Sequence, residues 1–102
     1  MIIKDIIVET LIVEKDREIH IAKHNVNLDE VIEIVSGDYV YIQGKIRRWI
    51  LIGKTRNGRF LSIIVGKRVQ KNTYGLVTAR PSRKEEKSFY QKVTIEESEK
   101  DD

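Results

Sequence analysis

The chain has no cysteine, a single proline and no apolar run long enough to span a bilayer. Without cysteine there are neither disulfides nor thiolate metal sites, the usage of a cytoplasmic protein. Met1-Ile2-Ile3-Lys4-Asp5 lacks the basic flank and long apolar segment of a secretory signal, so none is expected. Gly53, Gly58 and Gly66 are separated by strand-like segments. They form no phosphate-cradling loop, so nucleoside triphosphate binding is unsupported. No repeat at a fixed period is present. What remains, 102 residues with 40% hydrophobic and 34% charged side chains, is the composition of one soluble globular domain.

The net charge of +3 hides a segregation along the chain. Met1 to Gly44 carries four Lys/Arg against nine Asp/Glu, a balance of −5. Lys45 to Lys92 carries fourteen against two, +12, and Val93 to Asp102 one against five, −4. A block this one-sided attracts polyanions, and RNA or DNA phosphate is the partner it suits. A merely solvated basic surface is the plainer reading. The domain is expected over residues 1–93, with 94–102 as an acidic, disordered tail.

Ile6 to Val13 is β-branched and apolar, a strand that Ile2 and Ile3 extend if they join it. Asp16 is placed to cap a short helix to about His24, with Ile19, Ala22 and Val26 near one face. Asn27 with Glu30 makes a capping box for the next helix. Leu28, Val31, Ile32 and Val35 are its buried stripe, and Gly37 its left-handed stop. Strands follow at Tyr39–Gln43, Arg48–Lys54 and Phe60–Val69, with turns at Gly44-Lys45 and at Asn57-Gly58, where both residues accept positive φ. After a turn over 70–73, Tyr74 to Arg80 is the last strand. Alternation puts Val77 and Ala79 on one face and Tyr74, Leu76, Thr78 and Arg80 on the other. A helix from about Arg83 to Lys92 closes the domain. The class is α+β: a strand and two helices, an antiparallel meander of about four strands, and a C-terminal helix.

Chemistry concentrates where the last strand meets the last helix. Pro81 holds Arg80 extended, and Ser82 with Glu85 reads as a capping box. Arg80 is thus delivered at a strand end beside a helix carrying Arg83, Lys84 and Lys87. A guanidinium held there matches phosphate geometry, and it equally well pairs with Glu86 to pin the helix to the sheet. His20 and His24 share the i, i+4 spacing of zinc ligands, but Ile21 stands where a zinc protease carries its glutamate and no third ligand follows, so no metal is assigned. Trp49 with Tyr39 and Tyr41 suits base stacking or a core.

Three pieces in order resemble the BrnT family of type II toxins, a branch of the RelE-like ribonucleases. The first is Ile19 to Val26 followed by Asp29-Glu30-Val31, like the family's Lys-His-Gly-Val and Glu-Glu helix pair. The second is Arg48 to Gly53 followed by Gly58-Arg59-Phe60-Leu61, like its arginine-aromatic and Gly-Arg hairpin. The third is Thr78-Ala79-Arg80 with Glu86 and Tyr90, like its terminal Ala-Arg and Glu-Arg-x-x-Tyr. Together they span His20 to Tyr90. Val13-Glu14-Lys15 stands where the family has Trp-Asp and Lys, Asn25 where it has glycine, and Lys87 where it has arginine.

The resemblance implies a RelE-like fold and metal-independent, cofactor-free cleavage of RNA, often mRNA. It also implies a ribbon-helix-helix antitoxin as partner and a dimer or toxin–antitoxin heterotetramer, in the cytoplasm. Such cleavage uses the ribose 2′-hydroxyl as nucleophile on the adjacent phosphorus. General acid–base help is worth about 10²–10⁴-fold. A fixed cation at the developing charge contributes about 3–4 kcal/mol, by analogy with single oxyanion donors. Arg80 is the expected transition-state cation and Arg48 a second clamp, unless Arg48 pairs with Glu30 or Glu33. His24, then Lys23 or Lys15, is the expected acid or base, since imidazole titrates near neutrality. His24 also suits a helix C-terminus for the dipole alone. Tyr90, Arg83, Lys84, Lys87, Arg47 and Arg59 are expected to contact RNA, Tyr90 having a core role as its rival. The other function class is a non-catalytic nucleic-acid- or protein-binding module of the same fold.

Overall fold

The structure is a computed structural model that describes residues 6–100, with side chains to Glu96. Ile2 and Ile3, the possible extension of the first strand, lie outside the described residues. So do Asp101 and Asp102. The elements in chain order are β1 (Thr10–Ile12), α1 (Lys15–Ala22), α2 (Leu28–Ser36), β2 (Tyr39–Gln43), β3 (Arg48–Lys54), β4 (Phe60–Lys67), β5 (Thr73–Pro81) and α3 (Lys84–Lys100). The class is α+β, as the pattern of elements predicts.

Among the described residues the five strands form one sheet in the order β1-β5-β4-β3-β2. β2 to β5 make an antiparallel meander, and β1 pairs with β5 in parallel. One face carries the main core. Tyr39, Leu51, Leu61, Ile63, Val65, Tyr74, Leu76 and Ala79 pack there against Ile21 of α1 and Val31 and Ile34 of α2. The other face carries Val40, Ile52 and Ser62, all nearly fully buried, and α3 packs on β2 and β3 there. That second layer decides where Arg80 goes.

Asn27 caps α2 as expected: its side chain accepts from Glu30 N–H, and Glu30 accepts from Asn27 N–H. Gly37 does end the helix, but at φ −108°, so no left-handed residue is used. The buried stripe is Val31 and Ile34 flanked by Leu28 and Val35. Ile32 lies outside it, 48% exposed, because the helix turns its i, i+3 row toward the sheet. In α1 the buried residue is Ile21 and not Ile19 or Ala22. Glu14 stands at the N-cap with no side-chain bond, while Asp16 pairs with Arg17. In the β3–β4 turn only Gly58 takes positive φ, 86°. Asn57 does not, because Thr55 closes the turn by accepting from Gly58 N–H and also from Arg59 N–H through its hydroxyl.

Strict alternation fails in β5. Val65 pairs with Leu76 but Ile64 with Thr78, so Val77 is an extra residue, a β-bulge. The bulge puts Tyr74 and Leu76 on the same core face as Ala79, and it turns Thr78 and Arg80 toward α3. The carbonyl of Val77 accepts from Arg17 Nη1 at 3.0 Å. Finally, α3 runs past Thr94 to Lys100 where a disordered tail is expected. The segment has no glycine or proline and is rich in good helix formers, so nothing stops the helix.

Candidate nucleic-acid interface

Arg80 leaves β5 opposite Ser62 of β4 and meets Glu86 in the first turn of α3. The pair is bidentate, with Nη1 donating to Oε1 at 2.7 Å and Nη2 to Oε2 at 2.8 Å. Oε1 also accepts from Arg83 N–H at 2.7 Å and from the Ser62 hydroxyl at 2.9 Å; Ser62 in turn shares a hydrogen bond with Ser82. The expected Ser82–Glu85 capping box is thus not formed. Its reciprocal half is made one residue later, by Glu86 on Arg83, because Ser82 is buried against Ser62. Burial alone would raise the Glu86 carboxyl, but the hydrogen bonds from Arg80, Arg83 N–H and Ser62 outweigh it and hold the pKa at about 2. The hydrogen bonds to Glu86 and its charge raise Arg80, against its own desolvation. The pinning reading of Arg80 is therefore what the structure displays.

The β3–β4 turn and the end of β5 lie at one end of the sheet, and several expected site residues gather there. Arg59 donates to Glu30 Oε2 at 2.7 Å and to the carbonyl of Asn25 at 3.0 Å, tying the hairpin to the α1–α2 turn. That turn holds Lys23 and His24, both exposed, with the His24 ring edge-on to His20 at 5.3 Å. No group of three metal-ligating side chains occurs among the described residues. Tyr90 packs edge-on to Phe60, with centroids 5.5 Å apart, and Lys54 Nζ lies 5.5 Å from the Phe60 ring. Tyr90, Lys54 and Arg56 face a cleft of about 720 Å³, with Asp29, Glu33 and Asp38 across it. Arg83, Lys84 and Lys87 are exposed around the start of α3.

Arg48 is not part of this cluster. It shares the α3 side of the sheet with Arg80, but its row pairs with Gly66, four residues along β4 from Ser62. That is about 13 Å along the strand and two strands across. With Arg80 committed to Glu86, the two guanidiniums do not close on one phosphate. Arg48 does not pair with Glu30 or Glu33 either; Arg59 takes the first, and Arg56 N–H donates to the second. Arg47, at φ 63° in the β2–β3 turn, is at the far end with Arg48. Lys15 opens α1 beside Glu14, whose carboxylate reaches Arg68 at 3.6 Å, again away from His24. Sequence reasoning missed Ser62, Lys54 and Arg56. A buried serine in an apolar strand was the one signal that pointed to a polar partner across the sheet.

No protein-family model matches the sequence, and a search of curated proteins finds none similar. Solved structures do. The 1.1 Å crystal structure of the Brucella abortus ribonuclease toxin BrnT superposes with a TM-score of 0.57 at 18% identity, covering 74% of this chain and 97% of that one. The fold is that of BrnT. The likeness read from three sequence motifs therefore holds at the level of backbone architecture, and the BrnT-like part takes up about three quarters of the chain. Among the described residues no helix is long and apolar enough to cross a membrane.

Proposed function

We propose that this protein is a toxin of the type II class, an endoribonuclease that cuts RNA without a metal and is restrained by a ribbon-helix-helix antitoxin. The observation that carries the reading is the fold shared with a ribonuclease toxin. The +12 balance between Lys45 and Lys92 supports it. In this reading the reaction lies at the sheet end formed by the β3–β4 turn and the end of β5, which Arg59 ties to the α1–α2 turn carrying Lys23 and His24. A base, His24 or Lys23, takes the 2′-hydroxyl proton as that oxygen attacks phosphorus. The bond to the 5′-oxygen breaks, and an acid returns a proton to it, leaving a 2′,3′-cyclic phosphate and a 5′-hydroxyl. Arg80 has five N–H donors; it gives two to Glu86 and one, at 3.5 Å, to the Pro81 carbonyl, so two remain for a phosphoryl oxygen.

The bidentate pairing of Arg80 with Glu86 favours a second reading, a module of the same fold that binds RNA without cutting it. One experiment separates the two. Purified protein is incubated with unstructured RNA and a chelator, and the products are resolved. Cyclic-phosphate ends that appear with the wild type and fall about 10²-fold or more with His24→Ala support the toxin reading. Intact RNA at high protein concentration leaves the binding module.

A further inference from the structure

The fold divides the cations of the basic half between the two ends of the sheet. At the α3 end Arg59 and Arg80 are paired with Glu30 and Glu86, and Glu33 engages the Arg56 backbone. The opposite end is built from the β2–β3 turn over 44–47 and the β4–β5 turn over 68–72, and neither turn contains an acidic residue. Arg47, Lys67 and Arg68 line a depression of about 450 Å³ there. Arg47 and Arg48 have no ion-pair partner among the described residues. Arg68 has a single loose one, Glu14 at 3.6 Å, with both side chains largely exposed.

The row through Arg48 has a shape as well as a charge. Arg48 pairs with Gly66, and Gly66 with Gly75, so the two strands beyond Arg48 carry no side chain in this row. The Arg68 guanidinium lies over Gly75, filling the space that a Cβ would occupy. A Cβ on Gly66 would meet only Val77 Cγ2, at 3.7 Å. The result is a shallow trough floored by Gly66, with Arg48 on one side and Arg68 on the other. Two planar forks about two strand spacings apart, roughly 10 Å, suit a phosphate seated between them.

We propose that this rim is a second phosphate site, one that holds the ribose–phosphate backbone of a single-stranded RNA away from the α3 end. The inference rests on the ribonuclease reading for its choice of RNA, but not for the site itself. Ile46 and Val69, 88% and 97% exposed at the tips of the same two turns, also suit an anionic lipid surface. The trough between two guanidiniums favours a phosphodiester strand, because a flat headgroup layer needs no groove.

The test uses the full chain and a 2′-O-methyl RNA oligonucleotide, which has no 2′-hydroxyl and so cannot be cut. The Arg47→Gln/Arg48→Gln/Arg68→Gln variant is expected to bind about tenfold or more weakly at low salt. Its plot of log affinity against log salt should be less steep by about 2, three phosphate contacts at about 0.7 each. Gly66→Val fills the trough without changing charge and should weaken binding about fivefold or more at an unchanged melting temperature. Wild-type binding by both variants, with loss instead in Arg83→Gln/Lys84→Gln/Lys87→Gln, overturns the proposal. So does preferential binding to phosphatidylserine vesicles that Ile46→Asp/Val69→Asp abolishes. If the oligonucleotide binds at the rim yet wild-type protein leaves ordinary RNA intact, the ribonuclease reading fails and the rim stands.

Discussion

Glu86 is the residue on which the α3 end turns. Its carboxyl is 10% exposed, accepts four hydrogen bonds and titrates at about 2, well below the ordinary 4.5. A depressed carboxyl contributes stability that is fully present above pH 4.5 and lost as pH falls toward 2. Glu86→Gln should therefore be less stable than wild type by about 2–3 kcal/mol at pH 7, and the two should converge by about pH 2. Urea unfolding midpoints at pH 7, 4 and 2 measure this, and parallel acid limbs would contradict it. Arg80→Ala leaves the carboxylate buried without its cation and should lower stability by about 3–5 kcal/mol at pH 7. Loss of cleavage in that variant would then report unfolding as much as chemistry. Arg80→Lys, which keeps the charge but not the fork, is the better probe.

At the scale of elements, the docking of α2 on the sheet depends on a residue with no side chain. A Cβ on Gly53 of β3 would lie 2.9 Å from Ile34 Cγ2 and 3.1 Å from the backbone oxygen of Asp38. Gly53→Ala should therefore push α2 off β3 and lower stability by about 1–3 kcal/mol, read as a fall in melting temperature. The extents of β2 and β3 and the cap of α2 were legible in the sequence, because each follows from alternation or from one local hydrogen-bonded box. The bulge at Val77 was not. Nothing in Leu76-Val77-Thr78 announces an extra residue; its cause is the partner strand and Arg17, sixty residues away. The start of α3 shifted by one residue for the same kind of reason, since Ser82 was drawn into the sheet by Ser62.

For the whole molecule, the proposed reaction end and the proposed rim, set at opposite ends of one sheet, would together make binding depend on strand length. Uncleavable oligonucleotides too short to span the roughly 13 Å between the Ser62 and Gly66 rows should bind weakly. Longer ones should tighten steeply and then level off, as the second contact becomes intramolecular. Titrations over a length series check this, and affinity rising evenly with length would argue for a diffuse basic surface. The sequence by itself determined the class, the order of elements and the presence of a basic half, since periodicity, caps and composition are local properties. It also carried the motif likeness to BrnT that the shared backbone architecture bears out. Only the tertiary structure decided which cations are spoken for. Ion pairing depends on which carboxylates arrive from other layers, and Glu86 and Glu30 reached Arg80 and Arg59 while no acid reached Arg47 or Arg48 among the described residues.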